Sequence, residues 1–324
     1  MANIKRFDNV VEAIKHLEPG HILCNCLEKR GVALKHPSYE EISMPNGTIA
    51  TLSLPTSIFY RGENKCYSSC KASLYRIKQR DDRIIALLKS YEFMLFLQTL
   101  PEVQSFIINN RYYVPWALAQ HYEFVTPMID ITSDISVAAF FATHYYDRVS
   151  KEYRLVKEGV GRIRFIANMV DPELKGPLQP IGMQPFARPD RQDGFGFWIS
   201  ESEDLDDYSN CVEFVQDYGV NLKLKTAMMG GVNYLFPNEQ VSYMAQIIKN
   251  TDIVTRRTIE IMLSDIAIGN SYIVPDVTED DIDRVVKEKS IFVVDAPAIC
   301  PEALPHMTNA FIDESRLVVR PAYR

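Results

Sequence analysis

The sequence predicts an α+β fold, a mixed sheet core with packed helices, on three observations. Short apolar runs such as "SIFYRGE" (57–63), "GVGRIRFIANM" (159–169) and "CVEFVQ" (211–216) have strand length and are bounded by turn residues. The run "DDRIIALLKSYEFMLFLQTL" (81–100) instead places apolar residues at 84, 85, 88, 91, 94 and 95, the spacing of one helical face. Helix and strand patterns then follow one another with no repeat and no low-complexity linker, over 324 residues of which 47% are hydrophobic and 24% charged. A chain of that length and composition can bury a large core.

In chain order, residues 1–54 form a mixed segment in which "MPNGT" (44–48) predicts a hairpin turn, because Asn-Gly accepts positive φ. The helix over 81–100 is expected to take an aspartate as its N-cap and to stop at Pro101. "PWALAQHY" (115–122) predicts a short helix with Pro115 in its first turn. "TPMIDITSDISVAAFFATHYYD" (126–147) reads as a strand carrying Ile129 and Ile131, then an apolar helix started by Ser133 or Asp134. "PFARPDRQDGFGFW" (185–198), with its two prolines and two glycines, reads as a loop able to surround a ligand while its aromatics avoid solvent. "NEQVSYMAQIIK" (238–249) and "DIVTRRTIEIML" (252–263) predict helices capped by Asn238 and Asp252, and "SIFVVDAP" (290–297) and "SRLVVRPAYR" (315–324) predict late strands.

A net charge of −7 and a pI near 5.5 argue against a nonspecific grip on nucleic acid or an anionic membrane, because neutralising phosphates needs a basic surface. The compact basic run "YRIKQRDDR" (75–83) is interrupted by aspartates. Cys24, Cys26, Cys66, Cys70, Cys211 and Cys300 form neither C-x-x-C pairs nor the spaced Cys and His of a structural zinc site, so free thiols and no metal are expected. The N-terminus lacks the apolar core of a signal peptide, and no stretch approaches the roughly 18 apolar residues of a membrane span. A cytoplasmic protein is therefore expected. The P-loop, the Rossmann glycine fingerprint, H-E-x-x-H and G-x-S-x-G are all absent from the sequence.

Arg61 and Gly62 directly follow the apolar Ile58-Phe59-Tyr60 run. Alone, that arrangement fits a buried strand end with a solvated arginine. In order along the chain, however, "FYRGE", "SLYR", "ALAQHYEFVTPMIDITSDISVAAFFA", "ARPDRQDGFGFW" and "GGVNYLFPNEQVSYMAQII" resemble the FRG domain, named for its Phe/Tyr-Arg-Gly motif, over about residues 55–250. Residues 1–54 would then precede the domain, and 251–324 would follow as a helix and strands packed on the core. The sequence departs from that family's usual pattern at Glu123, where glycine is common, and at Pro127, where arginine is common.

The layout is also similar to that of ADP-ribosyltransferases of the arginine-serine-glutamate class. That resemblance implies an ADP-ribosyltransferase-like fold and an enzyme with NAD as its substrate, acting as a transferase or an NAD glycohydrolase. It implies the setting of a toxin or phage-defence effector, with a protein or nucleic acid as acceptor and room for a partner protein. The alternative, from a different class, is a non-catalytic nucleotide- or nucleic-acid-binding regulatory module. By the resemblance, Tyr60, Arg61, Gly62, Arg76, Asp130, Ser133 and Arg191 would contact NAD, and Arg61, His121, Thr132, Gln192 and Glu213 would serve catalysis. The chemistry suits them: a guanidinium holds pyrophosphate bidentately, and bare backbone at Gly62 can pair with a carboxamide. Thr132 and Ser133 would order the site around the ribose, with Gln192 or Glu213 where a glutamate is usual, and with Asp193, Glu201 and Glu203 as further carboxylates near that point of the chain. Glu213 also fits a solvent-facing strand position. His121 either hydrogen-bonds Asp130 to hold the Thr132 turn or contacts the ligand, and the 185–198 loop is expected to close over the nucleotide.

Overall fold

A computed structural model describes residues 4–17, 39–43, 49–53, 58–108, 114–150, 152–167, 178–181, 184–227, 234–237, 239–268 and 277–296, and its class is α+β. The strands are β1 (Lys5–Phe7), β2 (Tyr39–Ser43), β3 (Ile49–Ser53), β4 (Ile58–Glu63), β5 (Met128–Thr132), β6 (His144–Asp147), β7 (Glu152–Leu155) and β8 (Val160–Ala167). They continue with β9 (Leu178–Pro180), β10 (Gly194–Trp198), β11 (Asn210–Val215), β12 (Ile253–Thr255) and β13 (Phe292–Val294). The helices are α1 (Val10–Leu17), α2 (Arg80–Thr99), α3 (Pro101–Ile108), α4 (Pro115–His121) and α5 (Ile135–Thr143). After them come α6 (Ala187–Arg191), α7 (Tyr218–Ala227), α8 (Gln240–Asn250), α9 (Arg256–Ala267) and α10 (Glu279–Glu288).

Seven strands form one mixed sheet in the order β1-β11-β8-β4-β5-β10-β9. Within it β1 runs parallel to β11, and the remaining neighbours are antiparallel. Pairing is continuous on either side of the middle: Ile58 to Glu63 of β4 lie against β8, and Met128 to Thr132 of β5 lie against β10. Across the middle, β4 and β5 pair only where Tyr60 faces Thr132. The two halves of the sheet therefore part at that point.

Both faces of β4 are buried, which is why its sequence reads as a continuous apolar run rather than an alternating one. Ile58 and Tyr60 enter a cluster with Val10, Leu17, Ala138 and Val212. Phe59 points the other way, as strand geometry requires, into the larger core built on α2, and meets Phe195 edge-on at 4.6 Å. That larger core also takes Ile259 and Met262 of α9 and Ile282 and Val285 of α10.

Local chemistry explains where several elements start. Pro115 occupies the first turn of α4, and Asp134 caps α5 by accepting from Ser136 N at 2.7 Å. The N-cap of α2 is Gln79 rather than an aspartate; Asp81 and Asp82 fall in its first turn, where their charge suits the helix dipole. Pro101 ends α2 but also opens α3, with a 76° bend between them. Among the described residues no single helix is long and apolar enough to cross a membrane. The helix expected from Asp252 begins later, because Ile253–Thr255 pair with β13; Thr255 caps α9 instead. β2 and β3 pair antiparallel, while the expected turn at 44–48, the cap Asn238 and the strand at 315–324 lie outside the described residues.

The largest departure from expectation is at 185–198. That stretch forms α6 and β10, and β10 lies inside the sheet between β5 and β9. Phe195 and Phe197 are buried there, so the segment is not a loop free to close over a ligand.

At the end of α4, Phe124 N donates to Ala119 O and Glu123 N to Gln120 O, each at 2.9 Å, and Glu123 has φ 66°. This is the Schellman ending, whose left-handed position favours glycine. The carboxylate of Glu123 meets half-buried Lys249 at 3.4 Å, a pair of about 0.5 kcal/mol. Glu123→Gly should therefore raise the unfolding free energy by about 1 kcal/mol, read as a higher urea midpoint. A lower midpoint would show that the ion pair outweighs the backbone term.

Candidate functional site

Where β4 and β5 part, a cavity of about 150 Å³ opens. Its lining comes from Tyr60, Arg61 and Gly62 on β4, Gln120 and His121 at the end of α4, and Asp130, Ile131 and Thr132 on β5. Val137, Ala138 and Phe141 of α5 add an apolar wall, and Gln192 and Gly194 close the far side. Gly62 makes the arrangement possible: a Cβ there would lie 1.8 Å from Ala138 O and 2.7 Å from Ala142 N. The bare backbone expected to face a ligand is thus used in the first place by α5, which packs directly on β4.

Seven of the expected site residues, Tyr60, Arg61, Gly62, His121, Asp130, Thr132 and Gln192, come together here from separated parts of the chain. Four do not line the cavity. Arg76 is exposed at the end of the turn Ser73–Arg76, and Ser133 is buried with its amide donating to Asp193 O at 3.2 Å. Arg191 lies over the Tyr234 ring at 5.4 Å and donates to Tyr234 O. Glu213 belongs to an ion cluster, bonded to Arg6 at 2.7 Å and to Arg162 at 2.9 Å, with Cys66 Sγ donating to it at 3.3 Å. Sequence reasoning did not single out Phe141 or the role of Gly194. The spacing of Phe141 from Val137, on the helix that follows the Thr132 turn, was the available signal.

Within the cavity, hydrogen bonding divides the polar groups into two sets. Thr132 Oγ1 donates to Gln192 O at 2.7 Å and accepts from Asp134 N at 3.0 Å, so its hydroxyl fixes the turn between strand and helix. Gln192 Nε2 donates to Leu235 O at 3.0 Å, and its Oε1 lies 3.0 Å from His121 Nδ1. Gln192 therefore holds His121 in place and does not present a free amide, contrary to the expected contact with ribose. Tyr60 OH donates to Leu17 O at 3.1 Å.

The second set is incompletely paired. Arg61 Nη1 donates across the gap to Asp130 O at 2.6 Å. Among the described residues, buried Arg61 Nε, His121 Nε2 and Asp130 Oδ1 have no hydrogen-bond partner. Such atoms cost about 1–3 kcal/mol each and occur elsewhere too, as on Glu63, Arg162 and Arg164, but these three belong to residues around one open cavity, which a polar ligand can enter. The expected His121–Asp130 hydrogen bond is not present; the ring is held through Gln192, and Arg188 Nη1 donates to His121 O at 2.6 Å.

Electrostatics sharpens the division. Burial lowers the His121 pKa, with Asp130 opposing and Arg188 reinforcing that shift, so the ring is neutral at neutral pH. Burial also disfavours the Arg61 charge, but Cys70, Glu63 and Asp130 around it outweigh that, and its pKa moves up. The cavity thus offers one cation, one carboxylate and one neutral imidazole.

Residues 56–151 match the family model of the FRG domain. The match spans Arg61, His121, Asp130 and Thr132 but stops short of Gln192. No curated protein and no solved structure matches the chain.

Burial raises the Glu213 pKa, but hydrogen bonds from Arg6, Arg162 and Cys66 overcome it and hold the value at about 2. In the unfolded chain a glutamate protonates near its ordinary pKa of about 4.3. The cluster's contribution is therefore complete above that value and lost as pH falls toward about 2. Urea unfolding between those pH values should show falling stability in the wild type and a flatter profile in Glu213→Gln. Equal slopes would place the acid sensitivity elsewhere.

Proposed function

We propose that this FRG-domain protein binds NAD where β4 and β5 part and cleaves its nicotinamide–ribose bond, as an ADP-ribosyltransferase or an NAD glycohydrolase. The observation that carries this reading is the convergence of Arg61, His121 and Asp130 in one cavity, each with a buried polar atom left unpaired. A cavity of about 150 Å³ matches one aromatic ring. Nicotinamide fits that size, and the rest of the dinucleotide must extend beyond it.

Each residue then has a distinct task. The Arg61 guanidinium supplies the fixed positive charge that a pyrophosphate requires. Breaking the bond builds positive charge on the ribose, and Asp130 is the carboxylate in the cavity able to stabilise it. Thr132 and Gln192 act by position, keeping the turn and the imidazole fixed. The free thiols of Cys66, Cys70 and Cys211 suit a reducing cytoplasm. A second reading, a nucleotide-binding module without catalysis, is favoured by the engagement of both ends of the Gln192 amide with protein partners and by the place of Glu213 outside the cavity.

Incubation with NAD labelled separately in nicotinamide and adenine distinguishes these readings. The enzyme releases nicotinamide, with adenine label passing to water or to an acceptor; the binding module binds NAD and releases nothing. Arg61→Ala should weaken NAD binding at least about tenfold in calorimetry, and Arg61→Lys should recover only part of it, because the bidentate fork is lost. Asp130→Asn should lower turnover by roughly 100-fold with little change in affinity. Unchanged NAD binding by Arg61→Ala would remove this cavity as the NAD site.

A further inference from the structure

We infer that His121 is the general base of the proposed reaction, taking through Nε2 the proton of a neutral hydroxyl nucleophile; the inference rests on the NAD-cleaving reading above. What carries it is a tautomer fixed by its surroundings. Because Gln192 Nε2 donates to Leu235 O, Gln192 Oε1 is the atom that faces His121 Nδ1 at 3.0 Å. An amide oxygen only accepts, so Nδ1 carries the hydrogen. In the neutral ring Nε2 then holds the lone pair.

That lone pair is buried in the wall of the cavity and has no partner among the described residues. Gly194 keeps the space before it open, since a Cβ there would lie 2.8 Å from Nε2 and 3.0 Å from Cε1. The charged groups around the ring are Asp130 on β5, Arg188 on α6 and Arg61 across the cavity. Burial and Arg188 favour the neutral base, while Asp130 favours the imidazolium that forms once a proton has been taken.

The step is balanced. The O–H proton of the nucleophile passes to Nε2, its oxygen bonds to the ribose C1′, and the C1′–N bond breaks with its electron pair going to the pyridinium nitrogen. Nicotinamide leaves neutral and His121 is left as the imidazolium. A carboxylate acceptor is already ionised and needs no base, whereas water or another hydroxyl does. The base thus excludes an ionised carboxylate as acceptor, and water is the simplest hydroxyl that it serves.

The test is His121→Asn, whose amide N–H can still donate to Gln192 but which has no atom in the place of Nε2. Nicotinamide release should fall roughly 100-fold or more while NAD affinity stays within about threefold, and added imidazole should restore part of the rate. The wild-type rate should fall on the acid side as one proton binds, and that limb should be absent from the variant. Independently, ¹⁵N spectra of the imidazoles, with His121 assigned by its loss in the variant, should show hydrogen on Nδ1. Turnover near the wild-type rate in His121→Asn, or normal wild-type turnover with hydrogen on Nε2, would overturn the base alone. A wild type that binds NAD and never releases nicotinamide would overturn the enzymatic reading and the base with it.

Discussion

The two halves of the sheet share one ladder pair, Tyr60 against Thr132, and the arrangement of the cavity follows from that pairing. Beyond it β4 stays with β8 and β5 with β10, so the strands diverge while each keeps its backbone hydrogen bonds on its other side. Gly62 admits α5 against β4, and α5 supplies the apolar wall. Arg61 reaches across the opening to Asp130 O and ties the two halves together. A side chain at position 62 would force α5 away from the strand and alter every one of these distances.

Two groups of charges sit on this framework and differ in kind. Glu63, Arg164 and Asp206, and separately Glu213 with Arg6 and Arg162, are ion pairs in which charged partners meet. Such groups orient strands, and removing one partner leaves the other buried and uncompensated. Glu63, Arg162 and Arg164 keep unpaired buried atoms as well, but those of Arg61, His121 and Asp130 belong to residues that line an open cavity. Folding does not favour leaving buried polar atoms unpaired, so the stability lost there is understandable if a ligand completes the set.

Much of the framework was legible in the sequence. The period of α2, Pro115 at the head of α4, Asp134 as a cap and the strands around Ile58, Ile129 and Ile163 all follow from local pattern and turn chemistry. The meeting of Arg61, His121, Asp130, Thr132 and Gln192 was legible through the order of their motifs. The segment 185–198 was not, because Gly194 and Gly196 resemble loop glycines. Their real neighbours are His121 and Met128, whose side chains occupy the space a Cβ would fill, and such contacts leave no local trace. Glu213 was similarly opaque: its partner Arg6 lies 207 residues away in the chain. Gln192 was identified by position, but its role as a support for His121 depends on Leu235 O, which sequence does not reveal.

The most direct measurement is a crystal structure with a cleavage-resistant NAD analogue. The expected result is a nicotinamide ring in the opening between β4 and β5, phosphate against Arg61, a ligand donor within about 3.2 Å of Asp130 Oδ1, and His121 Nε2 facing the ribose C1′ across the space for a nucleophile. An analogue bound on another surface, with those atoms making no contact to it, would contradict the assignment of this cavity as the nucleotide site.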